Sequence, residues 1–363
     1  MRQTTASGVT LKYPDELGFA FNPCLLVVTG AGVTGMRIEM TGENGVTISD
    51  TRDAFDGGCY IEVREYIQSF FDDDTFSNLN YDAQVERTKM GQQVIFKLVA
   101  LKGETEVVFD FDVFYIWGAM KAAANEVYNG PRVLHVWKGY PFTFGVFCSA
   151  SDELTVTKGV VPTTVDVPRL GVWNVKLVAD GSVETYKVTS ANGGMKQATF
   201  DNTFDLTFQQ LPFDAGTYIT IKLGCEVENG VYLRWIDRHG FYNYWLFVKG
   251  AEQRKIENDG QFLRNNIVSV DMTYGYNGGL GRQMMMKRQD VVPVCAPLVD
   301  SDTYDMLCDM ASSPYVDMLV GYSLGKPKWV SVQPQAATYT KSKAVLQDFV
   351  ANILMPEMMI QKL

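Results

Sequence analysis

Histidine is nearly missing from this chain: two in 363 residues, at His135 and His239. Imidazoles so far apart cannot supply an HExxH pair or a histidine-rich zinc site. In VLHVW, His135 reads as a strand residue, and His239, in the turn RHG, reads as solvated. The six cysteines, at positions 24, 59, 148, 225, 295 and 308, never form CxxC, which points to reduced structural thiols rather than a disulfide framework. Cys24 in NPCLLVV and Cys225 in IKLGCEV read as small buried apolar groups. Positive charge is in deficit, 32 basic against 42 acidic residues for a net charge of -10, and that disfavours direct binding to nucleic acid. No apolar run reaches membrane-spanning length, so no membrane span is expected, and the N-terminal stretch carries no secretion signal.

Motifs for chemistry are equally scarce. There is no GxSxG elbow and no GxGxxG, and YNGGLGRQ lacks the GK[ST] ending of a phosphate loop. Asp72, Asp73 and Asp74 in FFDDDTF lack the oxygen spacing of a calcium loop and read as an exposed acidic turn. GRQMMMKRQD (281–290), with Arg282, Lys287 and Arg288, reads as a solvated loop or a subunit contact. No catalytic, cofactor-binding or metal-binding residue is identified, and no cofactor is expected. A pair of carboxylates meeting across a cleft, as a polysaccharide hydrolase would need, leaves no local signature in sequence.

What is present is alternation. MRIEM (36–40) sets Met36, Ile38 and Met40 on one face, and EVVFDFDVFYIW (106–117) sets Val107, Phe109, Phe111, Val113, Tyr115 and Trp117 on one side. The opposite side of that second run turns apolar at Phe114 and Ile116, so its end should be buried on both faces. REYIQSFFDDD (64–74) reads as a short helix or an irregular excursion, and a helix there should not run through its aspartates, which would sit at the unfavourable end of the dipole. Asp180-Gly181 predicts a two-residue hairpin that faces Val175 with Tyr186, Trp173 with Val188 and Leu177 with Glu184. FDLTF (204–208), GTYITIKLG (216–224) and KPKWVSVQP (326–334) predict further strands. DSDTYDMLCDMASS (300–313) predicts a helix with Asp302 as N-cap, Asp305 three residues on, and a stop at Pro314. Residues 337–357 fit a helix or a final strand.

The most unusual stretch is VYLRWIDRHGFYNYWLFVKG (231–250), two strands around the turn DRHG. Both strand faces carry large apolar groups, so the hairpin must be covered by core, by another subunit, or by a ligand on Trp235, Tyr242 or Trp245. The expected fold is mostly β: antiparallel sandwich or barrel-like modules with a few short helices near the C-terminus. The expected division is 1–128, 129–250 and 251–363, the last part holding the most mobile segment and an assembly contact.

NPCLLVV (22–28), YLRWIDRHGFYNYWLFVKG (232–250), YDMLCDMASSPYVDML (304–319) and KWVSVQP (328–334) occur here in an order that resembles structural proteins of phage tails found in prophages of gut Bacteroidetes. The shared layout, an aromatic hairpin, a variable region, a helix and a strand ending in W-x-V, spans residues 232–334, while residues 140–230 do not follow it. The resemblance implies a non-enzymatic structural protein in a virion tail, made in the bacterial cytoplasm. Its partners would be copies of itself or other tail proteins, and no ligand residue is implied. The alternative is a carbohydrate-binding or adhesin-like module with a glycan on the hairpin aromatics, and after that a polysaccharide hydrolase.

Overall fold

A computed structural model describes residues 2–71, 79–120, 127–191, 195, 197–200, 208–211, 218–258, 261–262, 282–283 and 285–362. The protein is mostly β, as the alternation predicts, and the described residues form several open sheets, one closed six-stranded barrel, and two short helices at Arg64–Ser69 and Ser301–Ser312. Its contacts divide it into two compact units, Met1–Glu226 with Trp235–Trp245, and Val227–Arg234 with Leu246–Leu363.

The first unit begins with a sandwich. One sheet is antiparallel and runs in chain order through Arg2–Ala6, Val9–Tyr13, Leu25–Thr29 and Gly58–Glu62. The other runs Leu17–Phe19, Thr105–Ile116, Gly91–Lys102, Val33–Gly42, Thr47–Asp53. Leu11, Leu26, Val28 and Ile61 from the first meet Met36, Ile38, Phe96, Leu98 and Phe109 from the second in one core. This is the two-period pattern at work: Met36, Ile38 and Met40 point in, while Arg37 and Glu39 point out. The strand Thr105–Ile116 ends with Val113, Phe114, Tyr115 and Ile116 all buried, the two-faced burial its sequence announces. The helix Arg64–Ser69 closes before the aspartates, which lie outside the described residues.

A second pair of sheets in this unit comprises Arg132–Val136, Tyr218–Leu223, Thr185–Ser190, Asp152–Lys158 and Val161–Val167, in that order, and Thr143–Cys148, Gly171–Lys176 and Val85–Arg87. Here the Asp180-Gly181 expectation fails. Gly171–Lys176 pairs with Thr143–Cys148 and Val85–Arg87, whereas Thr185–Ser190 pairs with Asp152–Lys158 and Tyr218–Leu223, so the two flanking strands lie in different sheets. Asp180 bends the chain by accepting hydrogen bonds from Ser182 N and Oγ at 3.0 and 2.7 Å, and it pairs with Lys158 at 2.5 Å. An Asx turn needs no strand partner, which is why the dipeptide alone misleads. FDLTF falls largely outside the described residues, and the strand there is Phe208–Leu211.

The barrel closes through Tyr242–Lys249, Val231–Ile236, Val316–Ser323, Lys326–Pro334, Gln347–Leu354 and Met285–Val299, the last returning to the first at Val248 opposite Cys295. The ambiguous C-terminal run resolves as a strand: Phe349, Ala351 and Ile353 are buried while Val350 is exposed. The helix Ser301–Ser312 buries Tyr304, Leu307 and Met310 and packs Tyr304 on Phe349. Its N-cap is Asp300, accepting from Thr303 N at 2.8 Å, and not Asp302, which sits in the first turn where its charge suits the dipole. Nor is GRQMMMKRQD a loop over its last six residues. Residues 285–290 belong to the 15-residue strand Met285–Val299, between Gln253–Asn258 and Met358–Lys362. YNGGLG and Arg282's side chain lie outside the described residues.

The barrel also buries a charged side chain. Arg234 is fully buried, its Nε and Nη2 donating to Asp317 Oδ2 at 2.9 and 2.7 Å, with its guanidinium 4.4 Å from the centre of the Trp329 ring. Burial raises the Tyr315 phenol, and hydrogen bonding to Asp317 adds to the rise.

Two expectations follow. Asp317→Leu should cost about 3–5 kcal/mol in chemical denaturation, because it leaves a buried guanidinium without its carboxylate, and Arg234→Met in the same chain should recover most of the loss. A single variant as stable as wild type would contradict this. Trp235, 0% exposed, should cost about 3–5 kcal/mol as Trp235→Ala. Trp235→Phe should cost less, since the indole N–H is buried without a partner among the described residues. A loss below about 1 kcal/mol for the alanine variant would mean that the ring is not part of the core.

Candidate assembly surface

The hairpin aromatics are interior. Every residue of Val231–Ile236 is buried, as are Tyr242 through Phe247. Trp245 packs edge-on against His135 and Trp137, with ring centres 5.0 and 5.1 Å away, and Tyr244 Oη meets Thr143 Oγ1 at 2.8 Å. Stacking on a sugar needs an open ring face, and Trp235, Tyr242 and Trp245 offer none. The turn is held from within. Asp237 accepts from His239 N and Phe241 N at 2.9 Å each and from Asn243 Nδ2 at 2.7 Å, while Ala119 N donates to Arg238 O at 2.7 Å. A side chain at Gly118 would reach to 2.1 Å of that carbonyl oxygen, so the close approach requires glycine. His239 is therefore half-buried with its ring near Tyr128, and not free in solvent.

Several buried polar groups find partners within the fold. Arg132 lies 4.2 Å from the Phe241 ring centre and donates to Gly145 O; burial pulls its guanidinium down to about 10 against the opposing effect of Asp237. Asp152 accepts from Ser190 Oγ at 2.5 Å, Met195 N at 3.0 Å and Glu153 N at 2.8 Å. Cys24 and Tyr115 share a buried hydrogen bond of 2.9 Å, and burial pushes the Cys24 thiol up to about 12. Cys225, by contrast, is exposed, because the chain has left the strand Tyr218–Leu223 by that point. Among the described residues no three His, Cys, Asp or Glu side chains gather as metal ligands. Lys287 and Arg288 are held in acidic pairs, Arg288 with Asp290 at 2.8 Å and Lys287 with Glu357 at 3.8 Å.

One feature of the sandwich is unfinished: the outer edge of Gly58–Glu62, the last strand of its sheet. Val63 N donates to Cys24 O and Gly30 N to Gly57 O, so the ladder to Leu25–Thr29 uses the odd-numbered positions. Cys59 and Ile61 thus turn their backbone groups inward to the ladder, and Gly58, Tyr60 and Glu62 turn theirs to the free side. Gly58 spends both groups on Phe55, at 2.8 and 3.2 Å. Those of Tyr60 and Glu62 have no partner among the described residues. Beside them runs a groove of about 650 Å³ lined by Arg52, Asp53, Phe55, Tyr60 and Glu62, where Phe55 is 90% and Tyr60 74% exposed. Large exposed aromatics beside open backbone donors and acceptors are what a docking strand uses. Nothing in the local sequence FDGGCYIEVRE marks this edge, since strand order decides which strand is last.

Two of the other sandwich edges carry charged groups. Arg2, on the first strand, pairs with Glu16 and, at 3.6 Å, with Asp15, and on Thr47–Asp53 the Asp50 carboxylate takes the Thr51 N–H at 2.7 Å.

No family model matches this chain, and no curated protein matches it. Among solved structures it is similar, at 13% identity, to a chain in the Salmonella enterica SafA pilin in complex with the SafB chaperone, over 58% of this chain and 98% of that one. The TM-score is 0.19.

Proposed function

We propose that this chain is a non-enzymatic assembly protein, a component of an oligomeric β-rich structure, with a virion tail as the setting that the layout of residues 232–334 suggests. The observation that carries the reading is the free edge at Tyr60 and Glu62 beside the exposed Phe55. A stable fold that spends its aromatic hairpin and its buried carboxylates on its own interior, yet leaves backbone donors and acceptors open beside two exposed rings, is suited to receiving another chain. The partner would be a second copy or another tail protein.

Light scattering and sedimentation velocity over a wide concentration range test this, with the chain alone and mixed with the products of neighbouring genes. Association in at least one of these conditions is expected. A monomer under all of them would overturn the proposal.

A further inference from the structure

We infer that the free edge of Gly58–Glu62 pairs with the same edge of a second copy, across a two-fold axis at Ile61; this rests on the assembly reading and names its partner. Backbone parity selects the register. Tyr60 and Glu62 are the two positions with open N–H and C=O groups, so an antiparallel copy centred on Ile61 sets Tyr60 opposite Glu62 of its partner and Glu62 opposite Tyr60. Four hydrogen bonds form and no open group on this edge is left over. A two-fold axis at Tyr60 would form only two, because Glu62 would then face Gly58, whose groups Phe55 already holds. The Ile61 axis also keeps faces aligned: Ile61, buried, meets its own counterpart on the core side, and Tyr60 lies beside Glu62 on the outer side.

Length and charge agree with that register. Phe55 occupies the place opposite Gly58, so an incoming strand must stop being extended where it would reach that position. In the Ile61 register the residue arriving there is Arg64, where the chain turns from strand into helix. Arg64 of one copy then stands beside Phe55 and Asp56 of the other. Neither Arg64 nor Asp56 has an ion-pair partner among the described residues, and antiparallel pairing brings the two together twice. A parallel pairing would instead set Asp56 against Asp56. The Glu62 carboxylate does not oppose docking, because it is turned back on its own chain, accepting from Cys24 N at 2.7 Å and Arg64 N at 3.1 Å.

Sedimentation velocity on the full chain is the test. Wild type should reach a dimer. Tyr60→Pro should stay folded, since its N–H serves no bond within the sheet, yet lose the dimer. Circular dichroism and an unchanged melting temperature would establish the folding. Arg64→Asp should weaken dimerisation by about tenfold, and Asp56→Lys added to it should restore affinity. Self-association untouched by Tyr60→Pro, or no rescue by the charge swap, would overturn edge pairing while leaving the assembly reading standing. A wild type that stays monomeric alone but joins another tail protein would likewise remove the self-pairing and keep assembly. If it joins nothing, both fall.

Discussion

Two-sided burial of the hairpin 231–249 is the constraint on which the rest of this structure depends. A strand pair with large apolar groups on both faces cannot stand at a surface, because each face would expose several aromatic rings to water. Burying both faces also takes in the polar residues that share them, so each must be satisfied in place. Arg234 meets Asp317 and the face of Trp329, and Asn243 meets Asp237. The turn follows the same rule, with one carboxylate answering two backbone donors and a side-chain amide. The aromatic density that looks like a recognition surface is thereby consumed in building the interior.

Strand edges are then where the protein can still make contact. The barrel removes its edges by closing on itself. The sandwich cannot, and it treats its edges unequally: ion pairs at Arg2, a carboxylate over Thr51 N–H, but, among the described residues, no partner for the backbone groups of Tyr60 and Glu62. An open edge that short, walled at one end by Phe55, limits what can pair with it. Restricted length gives selectivity, since a long flat edge would accept almost any extended chain.

Much of the fold was legible because burial leaves a period of two. The runs at 36–40 and 106–117 show their buried faces directly, and 326–334 matches an observed strand residue for residue. What stayed hidden depended on partners distant in sequence. Asp180-Gly181 has good hairpin chemistry, but its flanking strands found other neighbours. Arg234 sits in an apolar strand, and its counter-charge, Asp317, lies 83 residues away in sequence. Asp300 and Asp302 compete as N-cap, and only the backbone at Asp300, extended at ψ 173°, decides between them. The candidate surface was the least legible of all, because a free edge is a property of sheet order and no residue type encodes it.

Amide hydrogen exchange tests the central claim most directly, that the hairpin is interior and the Tyr60 edge is open. In dilute solution, exchange along Gly58–Glu62 should alternate, fast at Tyr60 and Glu62 and slow at Cys59 and Ile61, while Tyr242–Phe247 stays among the slowest in the chain. At concentrations where the protein associates, Tyr60 and Glu62 should become protected. Rapid exchange through Tyr242–Phe247, or uniform protection from Gly58 to Glu62 in the dilute monomer, would contradict the account.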